Sequence, residues 1–266
     1  MLYFVATPIG NLKDISYRAV ETLEKVDEIA CEDTRHSITL LSAYGIKKPL
    51  FSYHKYNERE ECGKIVQKLK DGKNIAVISD AGLPVISDPG NILVRALIEN
   101  GLEFTVIPGA NAALSALVLS GFNAENFCFL GFLPVKKSER ENLLEKYAKI
   151  PATLIFYSAP HDVKKDIESL YAALGDRKAA AVKEITKIHE RTEFFRLKDG
   201  LNAEPKGEYV LIVEGAKENA EALTLSEEEH IKMYIDSGMD KKDAIKRVAK
   251  ERGVPKSSLY KYTIEK

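Results

Sequence analysis

Apolar positions along the first 120 residues follow two alternating rhythms. The runs Tyr3–Ala6, Glu28–Cys31, Ile75–Ser79 and Phe104–Ile107 are almost continuously apolar and predict short buried strands. Between them, Tyr17–Val26, Thr34–Tyr44, Glu58–Lys70 and Ile92–Glu99 repeat apolar residues at helical spacing. This alternation predicts an α/β fold with a mainly parallel sheet covered by helices on both faces. Ligands of such sheets settle at the carboxyl ends of the strands, so the loops that follow them are the places to look for chemistry.

The rhythm changes beyond about Asn123. Strands are expected at Phe127–Phe132, Thr153–Tyr157, Lys178–Ile185, Glu193–Arg196 and Tyr209–Glu214, with helices at Glu139–Ala148 and His161–Leu174, a mixed α/β region. A third pattern is wholly helical. It opens at Ser226, where Glu229 completes a capping box. Ala249 to Gly253 followed by Val254 and Leu259 has the spacing of a helix-turn-helix, with Pro255 suited to a first helical turn. The expected division is an N-terminal α/β domain over 1–120, a second α/β domain over 121–222 and a helical tail over 226–266.

The segment Phe104–Ala124 carries no charge and has the length of a membrane span. Pro108 and Gly109 break it, and Asn111, Ser115 and Ser120 interrupt the remainder, so it reads as a buried strand, a tight loop and a buried helix. No membrane span is expected, and the first eight residues lack the basic flank of a signal peptide.

Composition adds three constraints. Hydrophobic residues at 45% and charged residues at 30% place the chain among folded proteins. Cys31, Cys62 and Cys128 are odd in number and widely spaced, which points away from a disulfide framework or a zinc cluster and towards a reducing, cytoplasmic setting. The five histidines show no helical pairing, so no metal is expected. The net charge of −1 hides an asymmetry, because residues 231–266 hold ten Lys/Arg against five Asp/Glu. A basic tail on an acidic body is either a polyanion contact or a solvated helix pair.

Three strand ends lead into Gly/Pro loops: Thr7–Leu12, Ser79–Gly90 and Ile107–Ala113. None matches a phosphate-binding pattern, and none contains Lys or Arg. Backbone groups and small side chains of this kind suit a compact ligand bearing an adenine, a ribose and a zwitterion. S-adenosylmethionine has that composition.

These loops resemble the cofactor loops of the tetrapyrrole methylase superfamily, which includes diphthine synthase and corrin-ring methyltransferases. Within it, the likeness is to the branch that methylates small-subunit ribosomal RNA. It is carried by Ala6–Leu12, Cys31–Arg35, Ser52–Glu58, Asp80–Pro84 with Ser87–Gly90, Pro108–Ala112 and Gly207–Gly215, and it spans nearly the whole chain. His36 after Arg35, and Lys183 where an arginine is usual, depart from the pattern. The resemblance implies a homodimer that holds S-adenosylmethionine between two domains and methylates the 2′-oxygen of a cytidine ribose in 16S ribosomal RNA, free or in the assembled small subunit. Position by position, it implies cofactor contacts at Asp80, Leu83, Gly109, Ala110, Asn111 and Ala112. Pro8 and Gly10 are implied as the floor, with Phe156, Tyr157 and Val210 closing the pocket.

A ribose hydroxyl is a poor nucleophile until a base takes its proton. Glu32, Asp33 and Arg35 follow a predicted strand on the ligand edge, where Arg35 could grip a phosphate and either carboxylate could orient the ribose. The plainer alternative is that Asp33 caps the next helix and Arg35 pairs with it. His54, Lys55 and Asn57, interleaved with Tyr53 and Tyr56, suit the stacking of bases and the holding of phosphates. Two rival functions remain at this level: the same fold acting on a tetrapyrrole or a protein, and a regulator that senses a metabolite and binds nucleic acid through its tail.

Overall fold

The computed structural model describes residues 1–201, 206–216 and 225–263. The first sheet contains β1 (Leu2–Val5), β2 (Glu28–Cys31), β3 (Leu50–Ser52), β4 (Ile75–Ile78) and β5 (Phe104–Ile107), ordered β3-β2-β4-β1-β5. Every pairing in it is parallel. The strands therefore need crossovers, which are α1 (Tyr17–Lys25), α2 (Thr34–Ala43), α3 (Glu58–Lys70) and α4 (Asn91–Glu99).

Strand periodicity sorts these helices onto two faces. Leu2, Phe4, Ile75 and Val77 pack with Ile65, Leu69, Leu93 and Leu97 of α3 and α4. Val5, Ala76 and Ile78 pack with Ala19, Leu23 and Leu41 of α1 and α2 on the other face. The neighbours β1 and β4 thus send their following helices to opposite faces, which opens a crevice between their carboxyl ends. An isolated antiparallel bridge between Thr7 and Gly82 ties the two loops together there.

The second sheet contains β6 (Phe127–Phe132), β7 (Thr153–Ser158), β8 (Lys178–Lys183), β9 (Arg191–Arg196) and β10 (Tyr209–Val213), ordered β6-β7-β10-β8-β9. Only β6 and β7 run parallel. Helices α6 (Lys137–Tyr147) and α7 (Val163–Leu174) cover one face, where Leu144, Val163, Ile167 and Leu170 meet Leu154, Phe156 and Leu211. The other face is covered by α5 (Ala112–Ser120), which follows β5 directly. Its Ala113, Ala116 and Leu117 pack on Ile155, Ala180, Val182, Val210 and Ile212. The small side chains of Ala179, Ala180 and Ala181 in β8 leave room for helices to approach from both sides.

The tail forms α8 (Glu227–Asp236), α9 (Lys241–Arg252) and α10 (Lys256–Leu259). Both halves of the Ser226–Glu229 capping box are made, and Gly253 ends α9 in the left-handed region at φ 65°. Its core, with Ile231, Tyr234, Ile245, Val248 and Leu259, draws only on tail residues. Arg252 points inward: its Nε donates to Nδ1 of the buried His230 at 3.0 Å, and its Nη2 donates to the Leu225 and Ser226 carbonyls. Residues 217–222 and 264–266, included in the expected second domain and tail, lie outside the described residues. Among the described residues, no helix is long and apolar enough to cross a membrane.

Candidate active site between the two sheets

The crevice at the carboxyl ends of β1 and β4 opens into a cavity of about 380 Å³ whose far wall is the second sheet. A volume of this order suits a small ligand. Asp80, Leu83, Asn111, Ala112, Tyr157 and Val210 all line it. The polypeptide presents them from three directions: the loop after β4, the start of α5, and strands β7 and β10. Asn111 is fixed because its side chain caps α5, accepting from the Leu114 N–H at 2.9 Å.

Other expected positions lie elsewhere. Pro8 is buried beneath the loop and is absent from the cavity wall. Gly10 faces the second domain, since a Cβ there would meet Lys187 Cγ at 2.6 Å and Thr186 Oγ1 at 3.0 Å. Phe156 is fully buried among α6 and α7, on the face of β7 opposite the cavity, and the adjacent Tyr157 takes the role of closing the wall. Gly109 and Ala110 do not line the cavity either.

At Gly109, where backbone is expected to approach a ligand, the packing makes a demand for glycine of its own. A Cβ on Gly109 would lie 2.9 Å from the Ala6 Cβ, so the glycine permits contact between two strand ends. Overpacking of this kind costs about 1–3 kcal/mol. Gly109→Val is therefore expected to lower the melting temperature by several degrees while folded protein keeps its ligand affinity. Thermal melts paired with calorimetry check this, and weaker binding at an unchanged melting temperature would return Gly109 to the ligand.

The cavity is electrostatically one-sided. Among the described residues, Asp80, Asp88 and Glu208 line it and no Lys or Arg does, with Glu208 paired to Lys187 at 2.8 Å. Asp88 is half-buried, and burial together with the neighbouring Glu32 and Asp80 pushes its carboxyl up to about 6, against a hydrogen bond from Ser79. Glu32 is also raised, first by burial and then by Asp80, while His54 opposes the shift. Asp80 and Asp88 of the cavity wall are thus coupled to Glu32, and Glu32 to His54. The His54 Nδ1 is buried and has no hydrogen-bond partner among the described residues.

Asp33 and Arg35 adopt the plainer arrangement. The Asp33 carboxylate caps α2 through the Arg35 N–H at 2.8 Å and binds the Arg35 guanidinium at 2.8 Å. That pairing, led by the side-chain hydrogen bond, holds the Asp33 carboxyl down at about 2. Asp33 is therefore committed to the helix and to Arg35, whereas Arg35 stays almost wholly in solvent and open to a further anion. The Asp33 N–H also donates to Asp80 Oδ1 at 3.3 Å, joining this turn to the cavity wall.

Backbone strain gathers at the same place. Among the described residues, the non-glycine residues at positive φ are Val85, Ser87, Glu184 and Thr186, at 77°, 69°, 50° and 66°. They form two pairs in sequence, one flanking Ile86 and the other flanking Ile185, both of which line the cavity. Positive φ is unfavourable for branched side chains such as Val and Thr, and such residues concentrate at functional sites.

A family model described as Tetrapyrrole (Corrin/Porphyrin) Methylases matches residues 1–199, which takes in the crevice, α5 and most of the second sheet. The chain belongs to the tetrapyrrole methylases. The methylase is 44% identical to "Ribosomal RNA small subunit methyltransferase I" of Halalkalibacterium halodurans, over 97% of this chain and 93% of that protein. The protein of the same name from Haemophilus influenzae is 45% identical, over 98% and 95% of the two chains. That from Escherichia coli O157:H7 is 40% identical, over 99% and 94%. These matches run through the tail that the family model leaves out. Among solved structures, a diphthine synthase superposes with a TM-score of 0.65 at 18% identity, covering 81% of this methylase and 89% of that chain. A uroporphyrin-III-C-methyltransferase from Thermus thermophilus gives 0.57 at 19% identity, covering 80% and 93%, and shares the fold.

Proposed function

We propose that this methylase uses S-adenosylmethionine to methylate small-subunit ribosomal RNA, at the 2′-oxygen of a cytidine ribose. The observation that carries the reading is near-full-length identity to ribosomal RNA methyltransferases, coupled to a cavity with the right charge for the cofactor. S-adenosylmethionine bears a sulfonium and an ammonium against one carboxylate, a net positive charge. A wall that holds Asp80 and Asp88, with Glu208 already paired to Lys187 and no Lys or Arg among the described lining residues, fits it. Asp80, Leu83, Asn111, Ala112, Tyr157 and Val210 would hold it, and once bound it supplies an electrophilic methyl group.

The chain's own residues do the rest. The ribose oxygen must lose a proton as it attacks, and Asp88 is the group on the cavity wall poised to take it, because its carboxyl is pushed up to about 6. Glu32 and Asp80 set its charge environment, and His54 in turn acts on Glu32. Arg35, exposed at the rim, supplies a grip for an RNA phosphate.

The enzyme works as a cytoplasmic homodimer in this reading. Helix α5 is apolar all round, yet it buries only one side and leaves Leu114, Val118 and Leu119 exposed. A helix of that composition is normally covered on every side, and a second copy provides the cover. Labelled S-adenosylmethionine incubated with undermethylated small subunits tests the function. The label is expected in a ribose-methylated cytidine. Incorporation into protein or a tetrapyrrole, or into a base, would overturn it.

A further inference from the structure

The outer lip of the cavity carries two apolar side chains displayed by unusual backbone. Phe132 ends β6, lines the cavity and remains 59% exposed, so a large part of the ring meets only water. The ring is held from behind by Tyr157, edge-on at 5.5 Å, which is in turn braced by Phe129 at 4.9 Å. Ile86 lines the same cavity and is 40% exposed.

Neither side chain arrives there by regular structure. The pairing of β6 with β7 slips between Phe129 and Gly131, so that Gly131 pairs with Phe156 and Phe132 with Tyr157. In an unbroken register Phe132 would oppose Ser158 and point to the α6–α7 face, because paired residues in a sheet share a face. The bulge, with Gly131 at φ 65°, turns Phe132 to the cavity side. Ile86 is turned outward in a comparable way, flanked by Val85 and Ser87 at positive φ. The two devices touch across the crevice: a Cβ on Gly131 would lie 3.1 Å from the Ser87 Oγ.

We propose that Phe132 and Ile86 form an open slot that clamps the base of the nucleotide being methylated. The inference rests on the RNA-methylating function proposed above and assigns the substrate's base to a specific pair of residues. A flat ring gripped between an aromatic and an aliphatic side chain is how extruded or single-stranded bases are held. The slot stands at the mouth, where a polymer can enter, while Asp80, Asp88 and Asn111 are partly buried on the cavity wall. A base in the slot leaves its ribose facing Asp88, which shares the loop that displays Ile86.

The chain contains no tryptophan, so Phe132→Trp introduces a single fluorophore into the slot. Oligocytidine is expected to quench its emission in a saturable way, whereas an abasic ribose-phosphate oligomer of the same length does not. In steady-state assays on small subunits, Phe132→Ala is expected to lower kcat/KM by about ten- to a hundredfold, the range of one stacked base. S-adenosylmethionine affinity by calorimetry stays within about twofold, and Phe132→Trp retains most of the activity, as stacking on a ring demands. Equal quenching by the abasic oligomer, an unchanged kcat/KM, or a parallel loss of cofactor affinity would overturn the assignment. If the parent enzyme left small subunits unmethylated, the function would fail, and the quenching comparison would still decide the slot.

Discussion

Asp88→Asn is expected to slow methyl transfer by at least about a hundredfold, the usual range for removing a general base, while cofactor affinity changes far less. The parent enzyme is expected to gain rate as pH rises through about 6 and then level off, because the ionised Asp88 is the active form. The residual rate of the variant should lack that rise. Stability moves the other way. The folded-state value lies above the ordinary 3.8, so the folded protein is penalised whenever this carboxyl is charged. The penalty is complete above about pH 6, shrinks as pH falls through 6, and is gone below the unfolded value. Asp88→Asn is therefore expected to melt higher than the parent at pH 8 and to lose that advantage near pH 4. Parallel melts of the cofactor-free proteins across this range, with a pH–rate profile, are the check. A variant that keeps its rate would move the proton transfer to Glu32 or His54.

Deleting residues 226–266 is expected to leave cofactor binding intact and to weaken the grip on small subunits in a salt-dependent way. The tail has its own core, and none of the packing clusters of the two sheets includes a tail residue. Its excess positive charge points to several phosphates held at once, yet the structure subtracts from that number. Arg247 is tied to Glu251 at 2.9 Å, Lys261 to Glu227 at 3.5 Å, and Arg252 is turned into the core. Lys232 on α8, Lys242, Lys246 and Lys250 on α9 and Lys256 on α10 are left as exposed cations without an ion pair among the described residues. Each phosphate that the protein ceases to neutralise flattens the dependence of log affinity on log salt by about 0.7–0.9, so removing these five lysines reduces the slope by up to about four units. Titrations of small subunits at several salt concentrations read this directly. An undiminished slope, with the truncated protein shifted to a monomer, would make the tail a dimer element.

The parallel sheet was legible because each of its longer strands is a compact apolar run followed by a helical period. β3 was not. Its three residues, Leu50, Phe51 and Ser52, are half-buried and too few to show any period. The cofactor loops stood out through glycine and proline, but loop composition does not say which glycine faces a ligand. At Gly10 and Gly109 a Cβ would meet other segments of the chain, a packing demand that loop composition cannot distinguish from a ligand's. The choice between Phe156 and Tyr157 was invisible for a different reason. β7 is covered by helices on both faces, so its sequence has no polar face to betray which side meets the cavity. Phe132 was hidden by a register slip, which leaves no mark in a hydrophobic pattern beyond a glycine inside a strand. Asp88 lay in plain view within Ser87–Gly90, but its tuning depends on Glu32 and Asp80, which only the fold brings near.

The position of β10 has a consequence for biosynthesis. It is made last among the strands, yet it occupies the centre of its sheet, hydrogen-bonded to β7 on one side and β8 on the other. As the chain leaves a ribosome, the parallel sheet is complete once Ile107 has emerged, whereas the second sheet stays split into two strand pairs until Val213 follows. Glu208, Tyr209 and Val210 of the cavity wall arrive with that strand, so competence for methyl transfer comes near the end of synthesis. A nascent chain stalled before Tyr209 exposes two unpaired strand edges beside a finished first domain, the configuration most prone to mispairing with a neighbour.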